Sequence, residues 1–154
     1  MNPIKNKKDL EATIDQIRNF AYSYLEKYSP SKQQLKIHLY KKIIKKSQKI
    51  SSKKEIFNLI DSVISSLIEQ KLLSDEYYSD AKSKVFLRKG YSLNKIRFNL
   101  IKKGIDEKYI KASISKIKEK ESDPDFFSAI KICKRRKIGP SRNESNRPLF
   151  YKKD

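Results

Sequence analysis

Apolar residues recur three and four positions apart along most of the chain, and no stretch alternates apolar with polar long enough to predict a strand. Leu10, Ile14, Ile17, Ala21, Tyr24 and Tyr28 predict a first helix over about 9–28. Leu35, Leu39 and Ile43 form the stripe of a second helix, and Ile56, Leu59, Ile60, Val63, Ile64 and Leu67 that of a third. Tyr78, Ala81 and Val85 mark a fourth helix, Ile96 and Leu100 a short fifth, and Ile110, Ile114 and Ile117 a sixth. Phe127 and Ile130 mark a seventh. The fold class predicted is all-α.

Capping residues fall at the predicted boundaries. Ser31 with Gln34, and Ser52 with Glu55, have capping-box spacing, in which two side chains satisfy unpaired N–H groups of a first turn. Ser74-Asp75, Ser92 and Asp106 open helices, and Asp123-Pro124 has the cap-then-proline order of a helix start. Gly90, Gly104 and Gly139 are the three glycines of the protein, and each stands where a helix ends in a left-handed residue. None is left to cradle a phosphate, which excludes a P-loop or a dinucleotide fold.

The same punctuation repeats. Tyr77-Tyr78-Ser79 with Arg88-Lys89-Gly90-Tyr91-Ser92 matches Phe126-Phe127-Ser128 with Lys137-Ile138-Gly139-Pro140-Ser141 at an offset of 49. Leu35, Leu39, Lys41, Lys42 and Ile44 match Ile96, Leu100, Lys102, Lys103 and Ile105 at an offset of 61, and Ile60-Asp61 matches Ile105-Asp106 at 45. The expected architecture is an elongated tandem array of three-helix, helix-turn-helix-like repeats. Its modules span 1–72, 73–122 and 123–154, the last incomplete, with loop-like residues from Arg142 to Pro148.

Charge follows this division. The 154 residues carry 37 Lys+Arg against 18 Asp+Glu, a net charge of +19. Residues 1–54 carry +10, 55–75 carry −3, 76–118 carry +8, 119–125 carry −3 and 126–154 carry +7. Basic blocks alternating with acidic spacers point to a polyanionic partner, most simply nucleic acid. No run reaches the roughly 20 apolar residues that cross a bilayer. The unpaired Cys133 and the absence of an apolar leader in MNPIKNKKDLEATI predict a cytoplasmic protein, expected to be a monomer.

Catalysis finds little support. His38 is the only histidine and has no acid at helical spacing, so it reads as a solvated helix residue. Cys133 precedes Lys134-Arg135-Arg136, which would favour a reactive thiolate, but a small residue flanking the core is the simpler account. Two Cys/His residues cannot supply a structural zinc site. The acids at helix starts are expected to cap and to complement helix dipoles. No enzymatic activity and no cofactor are expected.

The basic residues are the better candidates. Lys32, Lys36, Lys41 and Lys42 on the second helix correspond to Lys95, Arg97, Lys102 and Lys103 on or beside the fifth. A short helix after a tight turn, apolar inward and basic outward, has the form of a helix-turn-helix reader; the bland account is a solvated face. Arg135, Arg136 and Lys137, followed by Arg142, form the densest positive cluster, and Arg forks suit phosphate or carboxylate. Tyr78 and Phe127 are expected in the core. Tyr91, expected in an exposed turn, is the aromatic best placed to stack on a base, with Arg88 beside it.

Leu73-Ser74-Asp75-Glu76-Tyr77-Tyr78, Arg88-Lys89-Gly90-Tyr91-Ser92, Lys95-Ile96-Arg97-Phe98-Asn99-Leu100 and Lys102-Lys103-Gly104-Ile105, in that order, resemble the central signature of RecX regulatory proteins. Cys133-Lys134-Arg135-Arg136-Lys137-Ile138-Gly139-Pro140 resembles the start of that family's last repeat. The resemblance covers about residues 20–142 and is strongest at 73–110; it departs from the family pattern at Ser74, Tyr77, Phe86 and Asn99. It implies tandem three-helix repeats and a regulator that binds the RecA recombinase filament on single-stranded DNA, with duplex DNA as an open alternative, restraining ATP hydrolysis and strand exchange. The rival expectation is a helical DNA- or RNA-binding protein, or a repressor, without a recombinase partner.

Overall fold

The protein was analysed as a computed structural model, whose backbone is described for residues 7–46 and 53–139 and whose side chains are described for 14–44 and 53–139. The Ser52 cap, the Pro140-Ser141 turn and Arg142 lie outside these residues. The described residues form seven helices: α1 (Lys7–Lys27), α2 (Lys32–Lys46), α3 (Lys53–Glu69), α4 (Asp75–Arg88), α5 (Leu93–Lys102), α6 (Glu107–Lys120) and α7 (Pro124–Arg136). No strand occurs among the described residues. The chain is all-α. Its described residues fall into two compact units, one within 1–78 together with 102–106, the other within 79–101 together with 107–154.

In the first unit α1, α2 and α3 pack pairwise. Ile17 and Ala21 of α1, Leu35 and Leu39 of α2, and Ile60 of α3 are wholly buried in one cluster. Burying such an aliphatic side chain contributes about 1.5–3 kcal/mol. These residues are the three- and four-spaced positions of the sequence, so periodicity directly chose the core face. Ser31 Oγ accepts from the Gln34 N–H (3.2 Å) while Gln34 Oε1 accepts from the Ser31 N–H (3.1 Å), completing the capping box that opens α2.

The start of α2 is also held from far along the chain. The Ser31 hydroxyl donates to the carbonyl of Lys103 (2.8 Å), and the Lys32 N–H donates to the Asp75 carboxylate (2.7 Å). Gly104, with φ +74°, lies so close that an added Cβ would stand 2.6 Å from Gln33 Cβ. Only glycine meets both demands.

In the second unit the Ser113 hydroxyl of α6 donates to Asp80 of α4 (2.5 Å) and lies 2.9 Å from Ser79 Oγ; Lys116 completes an ion pair with Asp80 at 2.6 Å. Small buried serines let α4 and α6 approach closely. The α4–α5 turn closes with Gly90 at φ +80° and packs on α7, whose Ser128 hydroxyl donates to the Tyr91 carbonyl (3.1 Å). Asp123 caps α7 through the Phe126 N–H (3.0 Å).

Three local expectations are revised. Asp75 and Asp125 stand at helix starts, yet each accepts from the first N–H of another helix: Lys32 of α2 and Leu93 of α5, both at 2.7 Å. The left-handed cap of α7 is Lys137 (φ 55°), with Gly139 left-handed two residues later. Tyr78 is buried as expected, but Phe127 is 44% exposed. Pro124 and Ser128 are the buried residues of α7. Its packed face is therefore turned away from Phe127.

Candidate nucleic-acid interface

The basic residues divide by what their side chains already do. On α2, Leu35, Leu39 and Ile43 turn inward and leave Lys32, Lys41 and Lys42 exposed. Lys36 differs. Its ammonium pairs with Asp61 of α3 (2.6 Å) and lies 5.6 Å from the centre of the Phe57 ring, which itself stacks on Tyr40 (4.4 Å). Lys36 is thus engaged in joining α2 to α3. The structure also brings two sequence-distant basic segments together at the start of α2. The Lys103 carbonyl binds Ser31 there, so exposed Lys102 and Lys103 follow the chain to the same helix end as Lys32.

In the second unit, the turn after α4 collects the other candidates. Arg88 and Lys89 are exposed, and Arg135 of α7 donates a guanidinium hydrogen to the Lys89 carbonyl (3.1 Å). Residues 46 apart in sequence therefore share one surface, with Arg136 and Lys137 exposed beside Arg135. Lys95 holds its ammonium 4.3 Å from the centre of the Tyr91 ring. Arg97 pairs with Glu107 at 2.9 Å, with its side chain about half exposed, so the pair is solvent-screened and readily exchanged for another anion.

Tyr91 departs from expectation. It is half-buried, not exposed, because its ring stacks on Phe86 (5.4 Å, 5° between planes) and carries Lys95 above it. Its aromatic surface is largely occupied within the fold.

Exposed apolar residues sit among the bases on both α2 and α5. Ile37 of α2 is 45% exposed and Phe98 of α5, at the same position of the repeat 61 residues later, is 66% exposed. Sequence periodicity had assigned neither a role, since each lies off the core stripe.

His38, expected as a solvated helix residue, is instead half-buried, because its ring packs on the neighbouring helix. The His38 ring of α2 stacks on Tyr24 of α1 at 3.9 Å and 18°, and Tyr28 leans on Tyr24 at 5.0 Å and 43°. With Lys27, Lys42, Phe20 and Ser23 these line a cleft of about 420 Å³. Burial, and then the charge of Lys42, hold the His38 pKa below its ordinary value. A second cleft, of about 510 Å³, lies beside α5 and α6 and mixes Arg97, Lys111 and Lys118 with Glu107 and Asp125. The only sequence signal for the first cleft was four-residue spacing of Tyr24 with Tyr28 and of His38 with Lys42; that one helix would face the other was not legible.

No group of three or more His, Cys, Asp or Glu that could hold a metal ion occurs among the described residues, and no described helix is long and apolar enough to cross a membrane. Comparisons with protein-family models, curated proteins and solved structures return no match to this chain.

Proposed function

We propose that the protein is a RecX-like regulator that binds the RecA–single-stranded DNA filament in the cytoplasm and restrains its ATP hydrolysis and strand exchange, without catalysing a reaction of its own. The observation that carries this reading is the repetition of one basic element. A helix with buried apolar stripe, exposed lysines and an exposed apolar residue (Ile37, Phe98) occurs twice at an offset of 61, and its first N–H is held by a carboxylate both times. The order of motifs from Leu73 to Ile105, similar to the RecX signature, supports the choice of partner.

The chemistry suits such a filament. Lysines and Arg136 can meet phosphates, while exposed Ile37 and Phe98 offer apolar contact to the protein that coats the strand. Several weak contacts along a repeating lattice add into strong binding. Placed as a monomer on successive subunits, the chain would hinder their turnover.

The discriminating experiment adds the purified chain to a RecA–DNA ATPase assay. Inhibition at concentrations that produce DNA binding supports the regulator. DNA binding with unimpaired ATP hydrolysis would favour the rival reading of a nucleic-acid-binding helical protein without a recombinase.

A further inference from the structure

The α1–α2 cleft has a composition that core packing does not require. Tyr24 and His38 stack face to face and join the two helices, so their place is explained by the fold. Tyr28 is explained only in part, since one side of its ring leans on Tyr24 at 5.0 Å and 43°. It follows the end of α1, its N–H bonds the Tyr24 carbonyl at 2.9 Å, and 58% of the residue is exposed. An aromatic ring that far out of the core leaves apolar surface in water beside an open cleft.

The charges at this cleft are of one sign. Lys27 and Lys42 line it, both are exposed, and no carboxylate is among the lining residues. The cleft beside α5 and α6 contrasts with it, since Glu107 and Asp125 there oppose the cations. At the α1–α2 cleft an anion would meet two ammonium groups with no competing acid. The Ser23 hydroxyl and the imidazole edge add polar groups that can donate and accept.

A flat ring with an anion attached is what this combination fits. We propose that the α1–α2 cleft binds a nucleotide unit of single-stranded nucleic acid, its unpaired base stacking on Tyr28 and its flanking phosphate held by Lys27 and Lys42. Aromatic platforms bind unpaired bases of any sequence because every base has a π-face, and lysines beside them hold the backbone. A duplex keeps its bases stacked on one another and cannot offer one to Tyr28, so the cleft selects single strands. The site shares with the proposed function only the nucleic acid, and the recombinase ATPase assay does not bear on it.

The test is fluorescence anisotropy of the full chain with labelled oligo(dT) and with an abasic oligonucleotide of equal length. The base-bearing strand is expected to bind more tightly, and Tyr28→Ala to weaken it by about 5- to 100-fold while leaving the abasic strand unchanged, as loss of one stacked base requires. Tyr28→Phe keeps the ring and should bind as the parent does. Lys42→Gln should weaken both strands and reduce the salt dependence by about 0.7 in log–log slope. Because Tyr28 lies outside the core, circular dichroism should show Tyr28→Ala folded. Equal affinity for the two strands, or a folded Tyr28→Ala with undiminished oligo(dT) binding, overturns the proposal. Thymidine monophosphate is the remaining arm: quenching of tyrosine fluorescence at affinity equal to the strand's would overturn the single-strand assignment in favour of a free nucleotide.

Discussion

The Asp75 carboxylate accepts the backbone N–H of Lys32 at 2.7 Å across 43 residues of sequence, so that an acid at the start of α4 caps the start of α2. Asp125, at the start of α7, caps α5 in the same way through Leu93 at 2.7 Å. Each acid supplies what a helix N-terminus lacks, an acceptor for its first free N–H and a negative charge near the positive end of the dipole.

Asp75→Ala should therefore lower stability by about 0.5–2 kcal/mol, the usual cost of removing a side-chain cap from a helix N-terminus. Asp75→Asn keeps an oxygen acceptor and should lose much less. Burial chiefly, with Asp106 adding to it, raises the Asp75 pKa despite the Lys32 hydrogen bond, so the neutral amide also avoids a desolvation cost. Thermal denaturation followed by circular dichroism ranks the three; equal losses in Ala and Asn would show that the hydrogen bond is not what matters.

Gly104→Ala should be more damaging than Gly139→Ala. Both positions have positive φ, +74° and +76°, and a side chain there costs about 1–2 kcal/mol. At Gly104 the new Cβ would also meet Gln33 Cβ at 2.6 Å, whereas at Gly139 nothing lies within 4 Å. Urea denaturation midpoints measure the difference, and a Gly139 variant as unstable as the Gly104 variant would contradict the close approach.

Stability should fall as the pH drops through the histidine range. His38 has a folded pKa below its ordinary value of about 6.5, because burial against Tyr24 and the nearby Lys42 disfavour the charged ring. The unfolded chain then binds more protons between the two values, so stability is full above about pH 6.5 and declines below it. The other titratable groups lining the cleft are Tyr24 and Lys27 of α1, Tyr28 just after it, and Lys42 of α2. Since the chain has one histidine, its proton NMR titration reads the value directly, and His38→Gln should flatten this part of the melting profile.

For the proposed interface, Arg136→Glu and the pair Lys102→Glu with Lys103→Glu should each weaken single-stranded DNA binding and lower its salt dependence, by about 0.7 in log–log slope per lost phosphate contact. Lys36→Gln should instead reduce stability, because its ammonium pairs with Asp61 at 2.6 Å. Arg136 is a cleaner probe than Arg135, which holds the Lys89 carbonyl. Undiminished binding by the Arg136 variant would remove that residue from the interface.

The seven described helices, the core stripes of α1, α2, α3, α5 and α6, and the Ser31, Ser74, Ser92 and Asp123 caps were legible in the sequence, because helical periodicity and capping depend on residues three or four apart. So was the excess of positive charge and its division into blocks. Tertiary structure alone decided that Lys36 is occupied by Asp61 and Arg97 by Glu107. It also decided that Asp75 and Asp125 cap helices other than their own, that Phe86 covers Tyr91, and that Tyr24, Tyr28 and His38 enclose a cleft. Local sequence sets which face of a helix is apolar, but the partner of a side chain 10 to 43 residues away depends on how those faces meet. The +19 excess was written in the composition; which cations remain free to meet a phosphate is settled only when the helices pack.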